Sequence, residues 1–461
     1  MSGIRYFSTN LKSKEVSFWD ALIKGQAPDK GLYMPESIPK LTKAEIDSFK
    51  NKKYFEIAYD VIYKFLADEI PPNDLYNIVK DSYDFEVPIE HVYDRNFIMR
   101  LDQGPTCSFK DFAARLMGRL MQYYLDRQKK SLLILTATSG DTGSAIANAF
   151  YDLHNIKVVI LFPEKEVTVR QRKQMTTLHK NISIIALNGK FDDCQALVKQ
   201  AFADPELDYL KLSSANSINI GRLLPQSVYY FWAYSKLAQK SDEEIIFSVP
   251  SGNFGDLMGG IIAREMGLPV KKFIVSTNEN NAVPLYFQES FYKAIVPSRN
   301  CISSAMNVGH PSNFARIISL YGGQMDESGK INKLPDIERL RNDMFAVSIP
   351  DSETRDTIKN IYDRHKILIE PHGAVGWAGL QRYINENRSD INASQLTVTL
   401  ETAHPAKFPE EIEKILGINP LLPASLTNLD EKEEKMVRMD NRYKDFKEYL
   451  RCLPNPSKGG A

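Results

Sequence analysis

Gly104-Pro105-Thr106-Cys107-Ser108-Phe109-Lys110-Asp111-Phe112 places a lysine at the mouth of a helix. Downstream, Phe112, Leu116, Leu120 and Tyr124 recur at helical spacing with Ala113, Met117 and Met121 beside them, so an amphipathic helix begins just after Lys110. Gly104 and Pro105 mark the turn before it. A lysine there feels the positive end of the helix dipole, which disfavours its ammonium form and leaves more free amine to attack an aldehyde. That suits a Schiff-base lysine; the plain alternative is a solvated surface group.

Outward from this turn the chain alternates strands and helices. Ser131 to Ala137 is an apolar run followed by the turn Thr138-Ser139-Gly140-Asp141-Thr142-Gly143 and a helix from Ser144 to Leu153. Strands at Lys157 to Pro163, Ile182 to Leu187 and Tyr209 to Leu212 follow, with helices around Arg170 to Leu178 and Asp192 to Ala203 between them. A long helix from Leu223 to Ala238 leads to strands at Glu244 to Val249 and Lys271 to Ser276. Ala346 to Ile349, the helix Thr354 to Arg364, a loop at Glu370 to Gly373 and a strand from Leu396 to Leu400 complete an α/β body with a mainly parallel sheet. Before Arg95 the pattern is short helices and loops without a strand repeat, and the Glu-, Lys- and Arg-dense tail from Asp430 predicts a surface helix.

Composition narrows the ligand. The 461 residues are 43% hydrophobic, ample for two or three domains, and Lys+Arg equals Asp+Glu at 58 each. With no field favouring a polyanion, nucleic acid and acidic membrane surfaces are poor partners and a small molecule is the better one. No apolar run reaches bilayer length and the N-terminus has no signal h-region, so the protein is expected in the cytoplasm. Cys107, Cys194, Cys301 and Cys452 are scattered as free thiols, and no His or Cys spacing predicts a metal.

Two strand-to-helix junctions could hold anions. In Ser251-Gly252-Asn253-Phe254-Gly255-Asp256 small residues let backbone N–H groups approach a phosphate at a helix start. Ser139, Gly140, Asp141, Thr142 and Gly143 offer similar donors to a second anion, such as a carboxylate. Taken singly, each is equally a simple turn, and neither matches a P-loop or a dinucleotide fingerprint. Asn216, Ser217, Asn219 and Arg222 lie in a short polar stretch that reads either as a helix cap or as charge-assisted donors to a substrate. Thr402 follows the last strand, at the edge where α/β sheets bind ligands, and is aimed at a cofactor.

Together, GPTCSFKDFA, TATSGDTG, SSANSINIGRLLPQ, VPSGNFGD, the segment Met306 to Phe314 and TAHPAKF resemble the threonine synthase family of bacterial and fungal type. The resemblance implies fold type II of the pyridoxal-phosphate enzymes, like the tryptophan synthase β subunit. A parallel-sheet large domain (96–134 and 214–410) would carry an inserted smaller α/β domain (135–213), an N-terminal mainly helical domain (1–95) and a C-terminal helical tail (411–461). It implies a lyase converting O-phospho-L-homoserine and water to L-threonine and phosphate, as a monomer or homodimer. Lys110 would join pyridoxal 5'-phosphate as an imine, Gly252, Asn253, Phe254, Gly255 and Asp256 would surround its phosphate, and Thr402 would face its ring nitrogen. Ser139 to Thr142 would receive the substrate carboxylate, with no separate role for Asp141, and Asn216, Ser217, Asn219 and Arg222 would make substrate contacts. Lys30 stands where the family usually has glycine. No plant-type regulatory region is recognisable, so S-adenosylmethionine activation is not expected. A dehydratase or phospholyase of the same fold is the nearest rival, and a non-catalytic binding protein would have lost Lys110 or the phosphate loop.

Overall fold

Apolar runs flanked by helical patterns become strands buried on both faces, the environment that parallel sheets create. The computed structural model describes residues 3–388 and 391–453. In chain order its strands are β1 (Tyr6–Ser8), β2 (Tyr33–Pro35), β3 (Ile89–Tyr93), β4 (Asn96–Arg100), β5 (Leu132–Ala137), β6 (Ile156–Pro163), β7 (Ile182–Asn188), β8 (Leu212–Ser213), β9 (Ile245–Pro250), β10 (Val270–Thr277), β11 (Gln324–Met325), β12 (Ile331–Lys333), β13 (Met344–Ser348), β14 (Leu396–Glu401) and β15 (Val437–Asp440). The larger sheet has the order β13-β10-β9-β14-β4-β3 and the smaller one β15-β7-β6-β5-β8. Both are parallel except for the edge pair β3–β4. Every residue of β5, β9 and β14 is buried.

Several expectations are corrected. The N-terminal segment is not free of strands: β1 pairs with β2, and β3 edges the larger sheet. The continuous helix from Leu223 to Ala238 is broken into Ile220–Leu223, a 3-10 turn Leu224–Ser227 and Val228–Leu237. Pro225 accounts for the break, because it lacks the N–H a helix interior needs. Tyr209 lies in a 3-10 helix, Pro205–Leu210, so the strand expected there shrinks to β8. Glu370 to Gly373 is a helix start, with Glu370 accepting from the N–H groups of His372 and Gly373 and Pro371 in the first turn.

The tail is the largest departure. Instead of lying on the surface as one helix, it crosses to the smaller sheet, where β15 extends the edge beside β7. Its helix Tyr443–Cys452 buries Phe446 and Leu450 against Cys194, Leu197, Val198 and Ala201. Each such side chain stabilises the fold by roughly 1.5–3 kcal/mol. On the way, Glu434 takes both Arg172 Nε and Nη2 at 2.9 Å. The division drawn between 134 and 135 also runs through β5, whose residues pair with β6 along their whole length.

Candidate active site

Lys110 is the first residue of the helix Lys110–Gln128, and the turn before it is locked from both sides. Thr106 donates from its hydroxyl to Asp111 at 2.5 Å and from its N–H at 2.8 Å. The end of β14 meets the same turn: Phe109 N–H donates to Thr402 O at 2.9 Å, and His404 N–H donates to Cys107 O at 3.1 Å. Thr402 is thereby placed beside the lysine turn. The Lys110 amine lies 3.5 Å from Asp141 Oδ2 and 4.8 Å from the centre of the Phe109 ring. Burial holds its pKa below that of an ordinary lysine; Asp141 opposes this, while Lys407 and Arg222 reinforce it.

At the carboxyl end of β9, Gly252 to Gly255 form a hollow. Phe254 adopts φ 62°, the left-handed conformation, which turns successive N–H groups to one side. Among the described residues no protein acceptor meets the N–H groups of Gly252, Asn253, Phe254, Gly255 or Asp256. The walls are braced. Asn253 bonds Ser217 Oγ through its amide and accepts from Ser312 N–H at 2.6 Å, and Asn313 donates to Asn253 O at 3.0 Å. A Cβ at Gly255 would meet the Asn313 amide and Ser217 Cβ at 3.6 Å, ordinary contacts that need no shift of the neighbours. Five N–H donors without protein acceptors at a helix start fit a phosphate dianion, and with the Lys110 amine, whose basicity burial lowers, they fit pyridoxal phosphate. The Asp256 side chain turns away from the hollow to accept from Tyr229 OH at 2.5 Å and Tyr230 OH at 2.8 Å, so only its backbone faces the hollow.

The second junction is built differently. Thr138 Oγ1 accepts from Gly140 N–H at 2.9 Å and Gly143 N–H at 2.7 Å, which fills two of the expected donors from within. The N–H groups of Asp141 and Thr142 meet no protein acceptor among the described residues. Asp141 is buried and its carboxyl stays far below the ordinary range: burial alone would raise it, but Lys407 and Lys110 outweigh that.

The polar stretch after β8 divides. Asn219 acts as a helix cap: it accepts from Gly221 N–H at 2.9 Å and donates to Leu22 O and Ser214 O at 2.8 Å. Asn216 donates to Ala137 O at 3.0 Å and sits at the mouth of β5. Arg222 is 2% exposed and donates from Nη1 to Ala215 O at 2.8 Å, while its Nε has no partner. Burial pulls its guanidinium down to about 10.

Three groups carry no role in the sequence analysis. Lys407, fully buried, bonds Asp141 Oδ1 at 2.6 Å. Arg316, also fully buried, bonds Asn313 Oδ1 at 2.6 Å and Ile218 O at 2.6 Å and so braces the hollow from behind. His372 accepts from Ala305 N–H at its Nε2 (3.0 Å), which leaves the proton on Nδ1 for Glu370 Oε2 at 2.5 Å. This holds Ala305 over Gly252, where a Cβ would lie 2.9 Å from Ala305 O. Lys407 sits within the quoted TAHPAKF segment, but no local pattern marks Lys407, Arg316 or His372.

Models described as Threonine synthase N terminus, Pyridoxal-phosphate dependent enzyme, and Threonine synthase, C-terminal match residues 5–83, 90–401 and 373–450. The threonine synthase of Haemophilus influenzae is 40% identical over 96% of this chain and 98% of its own. That of Escherichia coli K12 is 37% identical over 97% and 99%. Among solved structures, the pyridoxal-phosphate-bound threonine synthase of Brucella melitensis is similar with a TM-score of 0.90 at 34% identity, covering 99% of this chain and 100% of that one. The yeast threonine synthase gives 0.89 at 30% over 97% and 98%. A fungal L-serine ammonia-lyase from Rhizomucor miehei, 13% identical with a TM-score of 0.53, shares the fold alone. At such identity over nearly the full length of both partners, the chain belongs to the threonine synthase family, pyridoxal-phosphate-dependent lyases of threonine biosynthesis.

Proposed function

We propose that the chain converts O-phospho-L-homoserine and water to L-threonine and inorganic phosphate, in the cytosol, with pyridoxal phosphate held at Lys110. The observation that carries this reading is the row of five N–H groups from Gly252 to Asp256 without a protein acceptor, in a chain whose buried lysine is held below its ordinary basicity. When bound, the cofactor supplies an electron-withdrawing ring that acidifies the hydrogens at Cα and Cβ of the attached amino acid. The Gly252–Gly255 backbone would hold the cofactor phosphate, and Thr402 would offer its neutral hydroxyl to the ring nitrogen. A neutral partner would leave that nitrogen largely unprotonated, so fixed dipoles around the substrate would carry more of the stabilisation.

Lys110 accepts the Cα proton and passes it to water, and the free amine then takes one from Cβ as the Cγ–O bond to phosphate breaks, a task suited to an amine whose basicity burial lowers. The N–H groups of Asp141 and Thr142 receive the substrate carboxylate. Arg222, with its Nε open, supplies charge to the phosphate that leaves Cγ, and Asn216 and Ser217 border it. Lys110 hands one proton to Cγ, which becomes the methyl carbon, and one to Cα, while the proton released as water adds its hydroxyl at Cβ balances the one the departing phosphate takes up. Water arriving early would divert the substrate to a keto acid, so closure of the elements around the two sheets is part of the chemistry.

The test is borohydride reduction of the protein with pyridoxal phosphate, followed by peptide mapping. Label on Lys110 is expected, and label on another lysine removes the assignment. Lys110→Ala should cut turnover at least ~10⁴-fold. Product analysis from O-phosphohomoserine should give threonine and phosphate; keto acid as the main product would favour a phospholyase.

A further inference from the structure

Asp141 stands between two buried lysines and is shared unequally. Its Oδ1 receives Lys407 Nζ at 2.6 Å and Gln171 Nε2 at 2.9 Å, whereas its Oδ2 lies 3.5 Å from Lys110 Nζ. Lys407 is fully buried and spends a second donor on Thr106 O at 2.9 Å, in the turn that leads to Lys110. One side chain therefore ties together the lysine turn, the end of β14 and the helix start after β5.

We propose that Lys407 is a positioning residue: by capturing Asp141 it keeps that carboxylate from forming a full ion pair with Lys110, and so preserves the neutral amine that Lys110 needs. This rests on the reading of Lys110 as the cofactor lysine and base. A carboxylate within about 4–6 Å favours the charged form of its neighbour, typically by 1–3 pH units, and a protonated lysine neither attacks an aldehyde nor accepts a proton. With Lys407 in place the amine faces a neutral pair; without it the amine faces a bare buried anion.

The other groups around the amine do not replace Lys407. Arg222, from the segment after β8, opposes the ammonium form as Lys407 does. It makes no bond to Asp141, however, so without Lys407 the only donor left on Oδ1 is the uncharged Gln171 amide. Asp256, from the helix after β9, acts in the opposite sense on Lys110, but Tyr229 and Tyr230 hold its carboxylate. Asp111, next along the lysine helix, is occupied by Thr106. The Phe109 ring brings no ionisable group. His372 acts on Asp141 only from a distance.

Acetic anhydride labelling of the apoprotein across pH, with Lys110 read by peptide mass spectrometry, reports the amine without cofactor or turnover. Lys407→Met should move the Lys110 labelling midpoint up by about one pH unit. Asp141→Asn should move it down, and the double variant D141N/K407M should return it to within a few tenths of the parent. Lys407→Arg, which keeps the charge, should leave it near the parent value. An unmoved midpoint in K407M overturns the proposal. Should K407M fail to fold, D141N decides, and a midpoint that does not fall overturns it equally. Failure here would leave borohydride trapping on Lys110 intact, whereas trapping on another lysine would refute the cofactor assignment without altering the labelling midpoints.

Discussion

The two glycine-rich junctions look alike as sequence, each a strand, a small-residue turn and a helix, yet one is hollow and the other is already filled. At Gly252 to Asp256 the backbone carries five N–H groups that meet no protein acceptor among the described residues. At Ser139 to Gly143 the Thr138 hydroxyl takes two donors, and the site carries its own anion in Asp141, neutralised by Lys407. An external dianion belongs in the first; the second has room only for a group that fits beside a resident ion pair. What separates them is a single threonine before one turn and a distant lysine, neither of which a glycine motif contains.

Glycine substitutions should break the comparison most sharply. Gly140 has φ +129°, and an added Cβ would lie 2.6 Å from the Gln171 side chain that holds Asp141. Gly140→Ala should therefore destabilise the fold by roughly 2–3 kcal/mol, read as a lowered midpoint in urea. Gly255→Val should do the reverse. Its Cβ meets ordinary contacts at 3.6 Å, so unfolding should be little changed while affinity for pyridoxal phosphate falls on the order of 100-fold, about 2.7 kcal/mol, as a crowded phosphate loses its donors. A G255V protein that keeps full cofactor occupancy would make the hollow ordinary structure.

Arg222 tests which anion reaches the space between the junctions. Its unpartnered Nε can make a charge-assisted bond worth roughly 1.5–3 kcal/mol, so Arg222→Ala should lower kcat/KM by about 10- to 150-fold, with lysine restoring only part. Lower stability with unchanged substrate affinity would make it a brace for Ala215 instead.

Asp256 probes the wall of the hollow rather than its mouth. Burial pushes its carboxyl up to about 6 despite the two tyrosine hydroxyls. The folded form thus holds the proton more tightly than the unfolded chain, whose carboxyl titrates near about 3.9. Its contribution to stability is full below that value and is lost as pH rises to about 6, a change on the order of 2–3 kcal/mol. Asp256→Asn should flatten the apoprotein's stability profile between those pH values and leave phosphate binding nearly intact, since only the backbone of residue 256 faces the hollow. An unchanged profile in urea titrations would mean that the carboxyl does not titrate there.

The alternation of β5 through β10, the lysine at a helix start and the hollow after β9 were legible because they depend on local spacing: apolar runs, turn residues and the helix that follows. Where tertiary partners decide, local spacing misled. Asn219 reads equally as cap or ligand until Leu22 and Ser214 occupy its amide. The tail reads as a solvated helix because its charges are dense, and only the exposed edge of β7 turns Val437–Asp440 into a strand. Lys407 and Arg316 carried no signal, since their burial and their partners, Asp141 and Thr106 for the first and Ile218 for the second, come from elements distant in the chain.

The smallest effect concerns Lys30, in the turn between Ala27 and Gly31. Lys30 has φ 65°, the left-handed conformation that glycine adopts freely, and the turn closes with Lys30 N–H donating to Ala27 O at 2.9 Å. The geometry is therefore kept and the side chain bears the strain, roughly 1 kcal/mol for a residue with a Cβ. Its ammonium lies 3.6 Å from Glu327, but at 73% and 44% exposure that pair returns only a few tenths of a kcal/mol. Lys30→Gly should accordingly stabilise the protein by a net amount under about 1 kcal/mol, the left-handed strain outweighing both the lost pair and the added freedom of glycine in the unfolded chain. Urea unfolding of the variant with and without 1 M salt separates these contributions. A gain that is larger in salt for the parent than for the variant would show the pair to be a net cost, whereas destabilisation at both ionic strengths would mean that Lys30 holds the turn through contacts other than its backbone.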